Sequence, residues 1–252
     1  MIAVTREVSP AIDRCELTHL SRQPIDLARA RAQHTAFEQV LVQLGCTIRR
    51  VPPAPDLPDA VFVQDAALVF DEVAIITRPG AQSRRAETTA VAAALEYLRP
   101  LRFIESPGTL DGGDVVCLDR TVVIGRTART NAEGAGQLAE VLGPFGYRVR
   151  TVIPTGCLHL QTAVTPVADH VVLVNRDWVN PSALGNFEVI DVDPAEPFGA
   201  NALRVGETIV HSAAFPRTAA RLQDRGFTVV RVDMSELAKA EAGVTCCCIL
   251  VP

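Results

Sequence analysis

The strongest constraint on this chain of 252 residues is a unit that recurs along it. Residues 60–70 read as a strand, a turn falls at Asp71-Glu72, and 73–77 form the hairpin partner. A helix over about 84–98 and a strand at 101–104 close the unit. The same order returns with strands 115–118 and 121–124, a helix running from an Asn131 cap to about 142, and a strand at 147–153. A third copy takes 159–167, 170–174, a short helix near 181–184 and 187–190. The fourth takes 201–205, 208–211, a helix at about 217–225 and 228–232. A fifth exists only if the tail strand, 245–250, joins the first strand, 2–5, with the helix 24–44 and the strand 47–51 completing it. That helix shows its period in Ile25, Ala28, Ala32, Ala36, Val40 and Leu44, and Gly45 stops it. Repeats of this length mark ring or stacked architectures. A copy split between the two ends closes a ring, so residues 1–252 are expected to form one domain.

Polar residues fall at the start of each unit: Asp65, Asp111, His159, Asn201 and Cys246, separated by 46, 48, 42 and 45 residues. Each alone has a plainer explanation, in turn chemistry for Asp111, a satisfied core histidine for His159, or the open face of a strand for Asp65. Cys246-Cys247-Cys248 sits in an apolar tail, and buried cysteine is usually packing. Five such residues in phase, each flanked by apolar strand residues, are harder to dismiss, because buried polar groups are costly unless they bond to something. A ligand on the axis of the ring would be that something. Cysteine and histidine supply a nucleophile and a proton carrier, with only the thiolate attacking efficiently. Two carboxylates in one pocket repel unless the ligand is a cation, and a planar guanidinium suits them. Its charge would also favour the thiolate.

Composition narrows the partners. The net charge of −5 offers no basic footprint for nucleic acid, and no apolar run approaches a membrane span. The N-terminus begins directly with a strand-like run and carries no secretory signal pattern. Seven cysteines, an odd number with no C-x-x-C pair, suggest neither a disulfide framework nor a zinc ribbon, and a cytoplasmic chain with reduced thiols is expected. His159 has no His or Cys partner at ligand spacing, so no metal is expected, and no cofactor. Thr109-Leu110-Asp111-Gly112-Gly113-Asp114 lacks the spacing of a nucleotide loop and precedes a hairpin.

Several stretches carry a resemblance: Pro58-Asp59-Ala60-Val61-Phe62-Val63-Gln64-Asp65, Thr77-Arg78-Pro79-Gly80, Ser83-Arg84-Arg85, the 109–114 motif, Arg129-Thr130-Asn131, Leu158-His159-Leu160 and Gly243-Val244-Thr245-Cys246. Together, in this order and across the whole chain, they resemble the dimethylarginine dimethylaminohydrolases of the pentein superfamily. The resemblance implies a five-bladed pseudo-symmetric α/β propeller. It also implies a cysteine-dependent hydrolase that cleaves the guanidinium C–N bond of asymmetric dimethylarginine through a thiouronium intermediate. By the same resemblance Cys246 is the nucleophile, His159 the general acid and base, and Asp111 the acid that orients the guanidinium beside the histidine. Asp65 holds the other guanidinium nitrogens. Arg84 and Arg129 hold the substrate carboxylate, while Asp59 and the backbone near Leu17 and Ala240 complete the amino end.

The family usually has glutamate where this chain has Gln64, and Leu-Lys where it has Leu160-Gln161. The loss of a negative charge from a substrate-binding position leaves open a shifted substrate: arginine, a shorter guanidine or citrulline. An amidinotransferase on the same scaffold and a non-enzymatic binding ring are the other readings. The short chain disfavours the first, and Cys246 and His159 in phase disfavour the second. The outer strand edges suit a homodimer.

Overall fold

In the computed structural model, which describes residues 1–252, each unit builds one three-stranded sheet. β1 (Ile2–Thr5) runs parallel to β2 (Thr47–Arg50), linked through helix α1 (Leu27–Gln43). The next sheet holds β3 (Ala67–Val69), β4 (Ala74–Ile76) and, after α2 (Thr88–Leu95), β5 (Leu101–Phe103). β6 (Val115–Leu118), β7 (Thr121–Gly125), α3 (Ala132–Leu142) and β8 (Arg148–Val152) follow. A one-turn helix, α4 (Leu160–Ala163), leads into β9 (Val164–Ala168), β10 (Val171–Val174) and β11 (Glu188–Asp191), whose crossover is a 3-10 turn at Pro181–Ala183. The fourth full copy is β12 (Ala202–Val205), β13 (Thr208–Ser212), α5 (Pro216–Asp224) and β14 (Thr228–Val232). After the short α6 (Ser235–Ala238), β15 (Ile249–Val251) pairs antiparallel with β1, Ile2 opposite Val251 and Val4 opposite Ile249. The fifth sheet is therefore shared by the two ends of the chain.

Local chemistry explains the elements. Middle strands are covered on both faces and are largely apolar at their centres: Val122, Val123 and Ile124 are fully buried. The third strand of each sheet is an outer edge, and β2 and β8 carry arginines there, which discourages further strand pairing. Asp26 and Asn131 cap α1 and α3, their carboxylate and amide oxygens accepting from Arg29 N at 3.0 Å and Gly134 N at 2.8 Å. The apolar packing is divided into five wedges between neighbouring sheets. Val115 and Ile124 of one sheet meet Leu68 and Ile75 of the one before. Val116 and Val123 meet Val164 and Val172 of the one after. The wedges continue through Leu173 against Ile209, Val210 against Ala3, and Val4 against Ala74, which closes the ring. Burying one such side chain contributes about 1.5–3 kcal/mol, so the ring holds through its inter-blade seams.

The helix read over 84–98 is a 3-10 stretch (Gln82–Glu87) followed by α2, and the other differences from the sequence reading fall at the hub. The stretch read as a strand over 60–70 is a turn and a 3-10 helix (Val63–Ala66) before a three-residue β3. Residues 160–163 are a helical turn, and 244–247 are a turn, with only β15 extended. At each site the chain must bend into the centre before it can run outward as a strand. The apolar residues there pack against neighbouring blades without strand periodicity.

Candidate active site

The bends put the in-phase residues together at the hub. Asp65 sits on the 3-10 turn before β3, Asp111 on the residue before the 3-10 turn Gly112–Asp114, and His159 on the residue before α4. Cys246 lies in the turn before β15. Asn201 grips that last turn: its Oδ1 accepts from Thr245 N at 3.2 Å, and its Nδ2 donates to Thr245 Oγ1 at 2.9 Å and to the Gln161 carbonyl at 3.1 Å. One narrow pocket is lined by Cys246, His159 and Asp65 together with Asp59, Arg129 and Ala240.

Hydrogen bonds fix the ring of His159. Its Nε2 lies 3.0 Å from Asp111 Oδ2, whereas Nδ1 faces Asp65 Oδ1 across 3.9 Å, a gap too long for a direct bond. Asp111 is fully buried, and its other oxygen accepts from Gly80 N at 2.8 Å. Asp65 accepts from Gly113 N at 2.9 Å and from the Arg84 guanidinium at 2.6 Å. Gly113 is required by this closeness, since a Cβ there would lie 2.8 Å from His159 Nδ1 and 2.9 Å from Asp65 Oδ1.

The electrostatics follow from that packing. Burial is the largest influence on His159 and favours its neutral form. Asp65, the Asp111 hydrogen bond and Asp114 outweigh it and raise the imidazolium pKa to about 9. Asp65 is held below the ordinary carboxylate range, because His159 and Arg84 overcome the opposing effect of burial. Burial pushes the Cys246 thiol up to about 11, and Asp65 adds to it. The Gly243 N–H, 3.4 Å from Sγ, and Arg84 offset this only in part. With the pocket empty at pH 7, the site therefore pairs a neutral thiol with an imidazolium.

The remaining residues expected at the site divide. Asp59 is buried and accepts from Glu16 N at 3.1 and 3.3 Å, with burial raising its pKa. Arg129 is buried but lightly committed, 3.4 Å from Thr18 Oγ1 and 3.8 Å from Asp111 Oδ2. Arg84 differs from a fork open to a carboxylate. Its nitrogens meet Asp65, both oxygens of Glu87 at 3.2 and 2.9 Å, and the Phe62 carbonyl at 3.1 Å. Leu17 packs into the wedge around α1, and Glu16, its neighbour, is the residue that reaches the pocket. Gln64 is placed elsewhere. Its side chain lines a cavity of about 360 Å3 together with Gln161 and Cys248, not the pocket of His159. There Gln64 Nε2 donates to Gln161 Oε1 at 2.8 Å, and Gln161 Nε2 donates to the Val115 carbonyl at 2.8 Å. The two departures from the family pattern are thus one contact, a neutral amide pair.

Two features escaped the sequence reading. Asp114 accepts from Leu160 N at 3.0 Å and from the hydroxyls of Thr127 and Thr130 at 2.6 and 2.7 Å. It thereby anchors the peptide that follows His159, and burial raises its pKa to about 6. The second aspartate of the 111–114 motif was its only signal. Asp65, Asp111 and His159 also converge, each with a ligand-type atom within 4.8 Å of the others, so they could share a cation. Local ligand spacing could not reveal this, because three separate blades supply the set.

A closed ring of five ββαβ units with thiol, imidazole and carboxylates at its hub defines the class: the fold is the five-bladed α/β propeller of the penteins. The chain belongs to the dimethylarginine dimethylaminohydrolase family, since the family model described as "N,N dimethylarginine dimethylhydrolase, eukaryotic" matches residues 11–251. The N(G),N(G)-dimethylarginine dimethylaminohydrolase of Streptomyces coelicolor is 40% identical over 246 residues, covering 97% of this chain and 94% of the relative. Among solved structures, the Pseudomonas aeruginosa enzyme, as a cysteine-to-serine variant complexed with citrulline, superposes with a TM-score of 0.93 at 32% identity, covering 98% and 97% of the two chains. An adduct of a dimethylarginine dimethylaminohydrolase with S-methyl-L-thiocitrulline gives a TM-score of 0.91 at 33% identity, covering 98% of each chain. No helix of this chain is long and apolar enough to cross a membrane.

Proposed function

We propose that this protein hydrolyses asymmetric dimethylarginine to citrulline and dimethylamine, with residues 1–252 acting as one catalytic unit. The observation that carries the reading is the shared pocket of Cys246, an imidazolium at His159 and an ionised Asp65 in a chain of this family. The guanidinium takes its place against Asp65 and lowers the thiol pKa, since a cation stabilises the thiolate. Cys246 Sγ, having lost its proton to solvent, attacks the guanidinium carbon. His159 gives a proton to the departing dimethylamine as the C–N bond breaks, leaving a thiouronium on Cys246. The neutral imidazole then takes a proton from a water molecule that adds to the same carbon. Collapse of that adduct breaks the C–S bond, returns the sulfur as thiolate and, as the hydroxyl proton passes to solvent, leaves the neutral ureido group of citrulline. Asp111 holds His159 in orientation from behind.

Arg129, with its fork nearly free, is the natural partner of the substrate carboxylate. Arg84 orients Asp65, a role its committed nitrogens fit better than holding substrate. Asp59, with the carbonyls near Leu17 and Ala240, receives the α-ammonium. All seven cysteines are free, which fits a cytoplasmic setting. A homodimer is part of the same proposal and is read by sedimentation. The deciding test incubates the reduced protein with asymmetric dimethylarginine, arginine and citrulline and measures ureido product and released amine. Dimethylamine release from the first is expected, abolished in Cys246→Ser and retained in Cys247→Ser and Cys248→Ser. No product from any guanidine would end the reading.

A further inference from the structure

Glu87 lines no part of the pocket, yet both of its oxygens are committed to a residue that does. It stands three residues after Arg84 in the 3-10 stretch Gln82–Glu87, which sets the two side chains on one side of the turn. Arg84 Nε and Nη2 donate to Glu87 Oε1 and Oε2 at 3.2 and 2.9 Å, and Nη1 donates to Asp65 Oδ2 at 2.6 Å. One guanidinium thus bridges two carboxylates, and all three side chains are buried. A buried set of ions adds little stability, because well-packed apolar residues of the same volume often do as well or better. What it does supply is a balance of charge. Asp65 and Arg84 alone cancel, whereas with Glu87 the set is an anion. A second cation stands behind it. Arg6 is fully buried, its Nε and Nη1 meet no acceptor from the protein, and Glu87 is the charge that opposes the effect of burial on it. With Glu87 neutral, Arg84 and Arg6 would face Asp65 with only Asp59 near to oppose them.

We propose that Glu87 is a positioning residue for the reaction: it offsets the charge of Arg84, so that Asp65 presents a whole negative charge to the substrate guanidinium and to His159. Arg84 can then hold Asp65 in place without neutralising it. The inference rests on the proposed reaction for its substrate, and it extends the group that selects a cation one residue beyond the pocket wall. Discrimination between a cationic side chain and a neutral ureido one is assigned in part to a carboxylate that touches neither.

Calorimetry on Cys246→Ser tests this with asymmetric dimethylarginine and L-citrulline, which share their amino-acid end and differ in the charge of the side chain. Adding Glu87→Gln keeps the shape and one acceptor and removes the charge. It is expected to weaken asymmetric dimethylarginine at least about fivefold more than L-citrulline, because the lost charge stands one guanidinium behind Asp65 in a buried, weakly screened set. Adding Glu87→Asp keeps the charge and shifts the geometry, and should leave the ratio of the two affinities within about twofold. Adding Arg84→Gln together with Glu87→Gln keeps the net charge of the set and should return the ratio to within about twofold of Cys246→Ser, a recovery that a merely bracing residue would not show. That double change also serves if an unpaired, buried Arg84 keeps the single one from folding. The His159 midpoint, read by NMR, should fall in Glu87→Gln and hold in Glu87→Asp. Equal weakening of the two ligands by Glu87→Gln, a lost preference in Glu87→Asp, or a double change that does not keep the preference overturns the proposal. A Cys246→Ser protein whose preference depends on Glu87, with a wild type that releases no dimethylamine, would refute the hydrolase and leave the role of Glu87 standing. Binding of neither ligand would refute both.

Discussion

Replacing Asp65 with asparagine isolates the field that keeps His159 protonated. The two groups face each other across 3.9 Å. At an effective dielectric constant of 20, unit charges at that separation interact by about 4 kcal/mol, equivalent to about three pH units. That is an upper bound, and the Asp111 bond at 3.0 Å survives the substitution. The His159 midpoint is therefore expected to fall from about 9 to about 7 or below. The assay is a pH titration of the histidine ring signals by NMR, with His159 assigned by its disappearance in His159→Asn. The buried His34 and His211 do not compete for that signal, because burial drives both below the ordinary histidine range. Stability moves with the same proton. The folded value of about 9 exceeds the unfolded 6.5, so the contribution is complete below pH 6.5 and is lost as pH rises through 9. Between those limits the loss is about 3 kcal/mol, and Asp65→Asn should remove most of that pH dependence. As the general acid, His159 also sets the alkaline fall of kcat/KM near pH 9, which should shift down in the variant. A wild-type midpoint at or below 6.5, or one unmoved by Asp65→Asn, would refute the electrostatic account.

Gly113→Ala should cut kcat by about 100-fold, the scale of a catalytic group displaced by about 1 Å. The added Cβ would press on both the His159 ring and Asp65 Oδ1. A variant with wild-type kcat would show that the contact is not needed. Gln64→Glu, which places a charge on a partly buried amide pair, should cost about 1–3 kcal/mol in urea unfolding, and adding Gln161→Lys should recover most of it. Additive losses in the double variant would show that the two positions are not a coupled pair.

The ring was legible because it is written in periodicity. Middle strands buried on both faces give runs such as Val122-Val123-Ile124, and the split fifth unit follows from counting. The polar phase was also legible, but the backbone carrying it was not. Ala60 to Ala66 looks like a strand because its apolar residues are buried, while their partners belong to other blades and impose no period of two. Charge pairing was the least legible feature. Nothing in Ser83-Arg84-Arg85 says that Arg84 will meet Asp65 and Glu87 in the interior while Arg85 turns to the Pro79 carbonyl. Gln64 misled for a related reason. One residue before an aspartate that lines the pocket, its side chain points to another cavity, because successive residues of a tight turn face different ways.

In the proposed reaction the resting thiol is a consequence of the pocket that selects the substrate. Asp65 raises the Cys246 pKa, and the same carboxylate attracts the guanidinium. A cation seated about 4 Å from the sulfur would contribute about 4 kcal/mol at an effective dielectric constant of 20, about three pH units. That would bring the thiol from about 11 to about 8. The same cation weakens the imidazolium, but the thiolate it induces beside His159 holds that proton in turn, so thiolate and imidazolium are favoured as a pair once the guanidinium is bound. The nucleophile and the acid are then ready together, and the free protein need not hold a reactive thiolate. A neutral ureido group brings no such charge. After hydrolysis the thiolate loses its stabilising cation and is reprotonated, so attack on the product is suppressed by the same acidic pocket that promoted attack on the substrate.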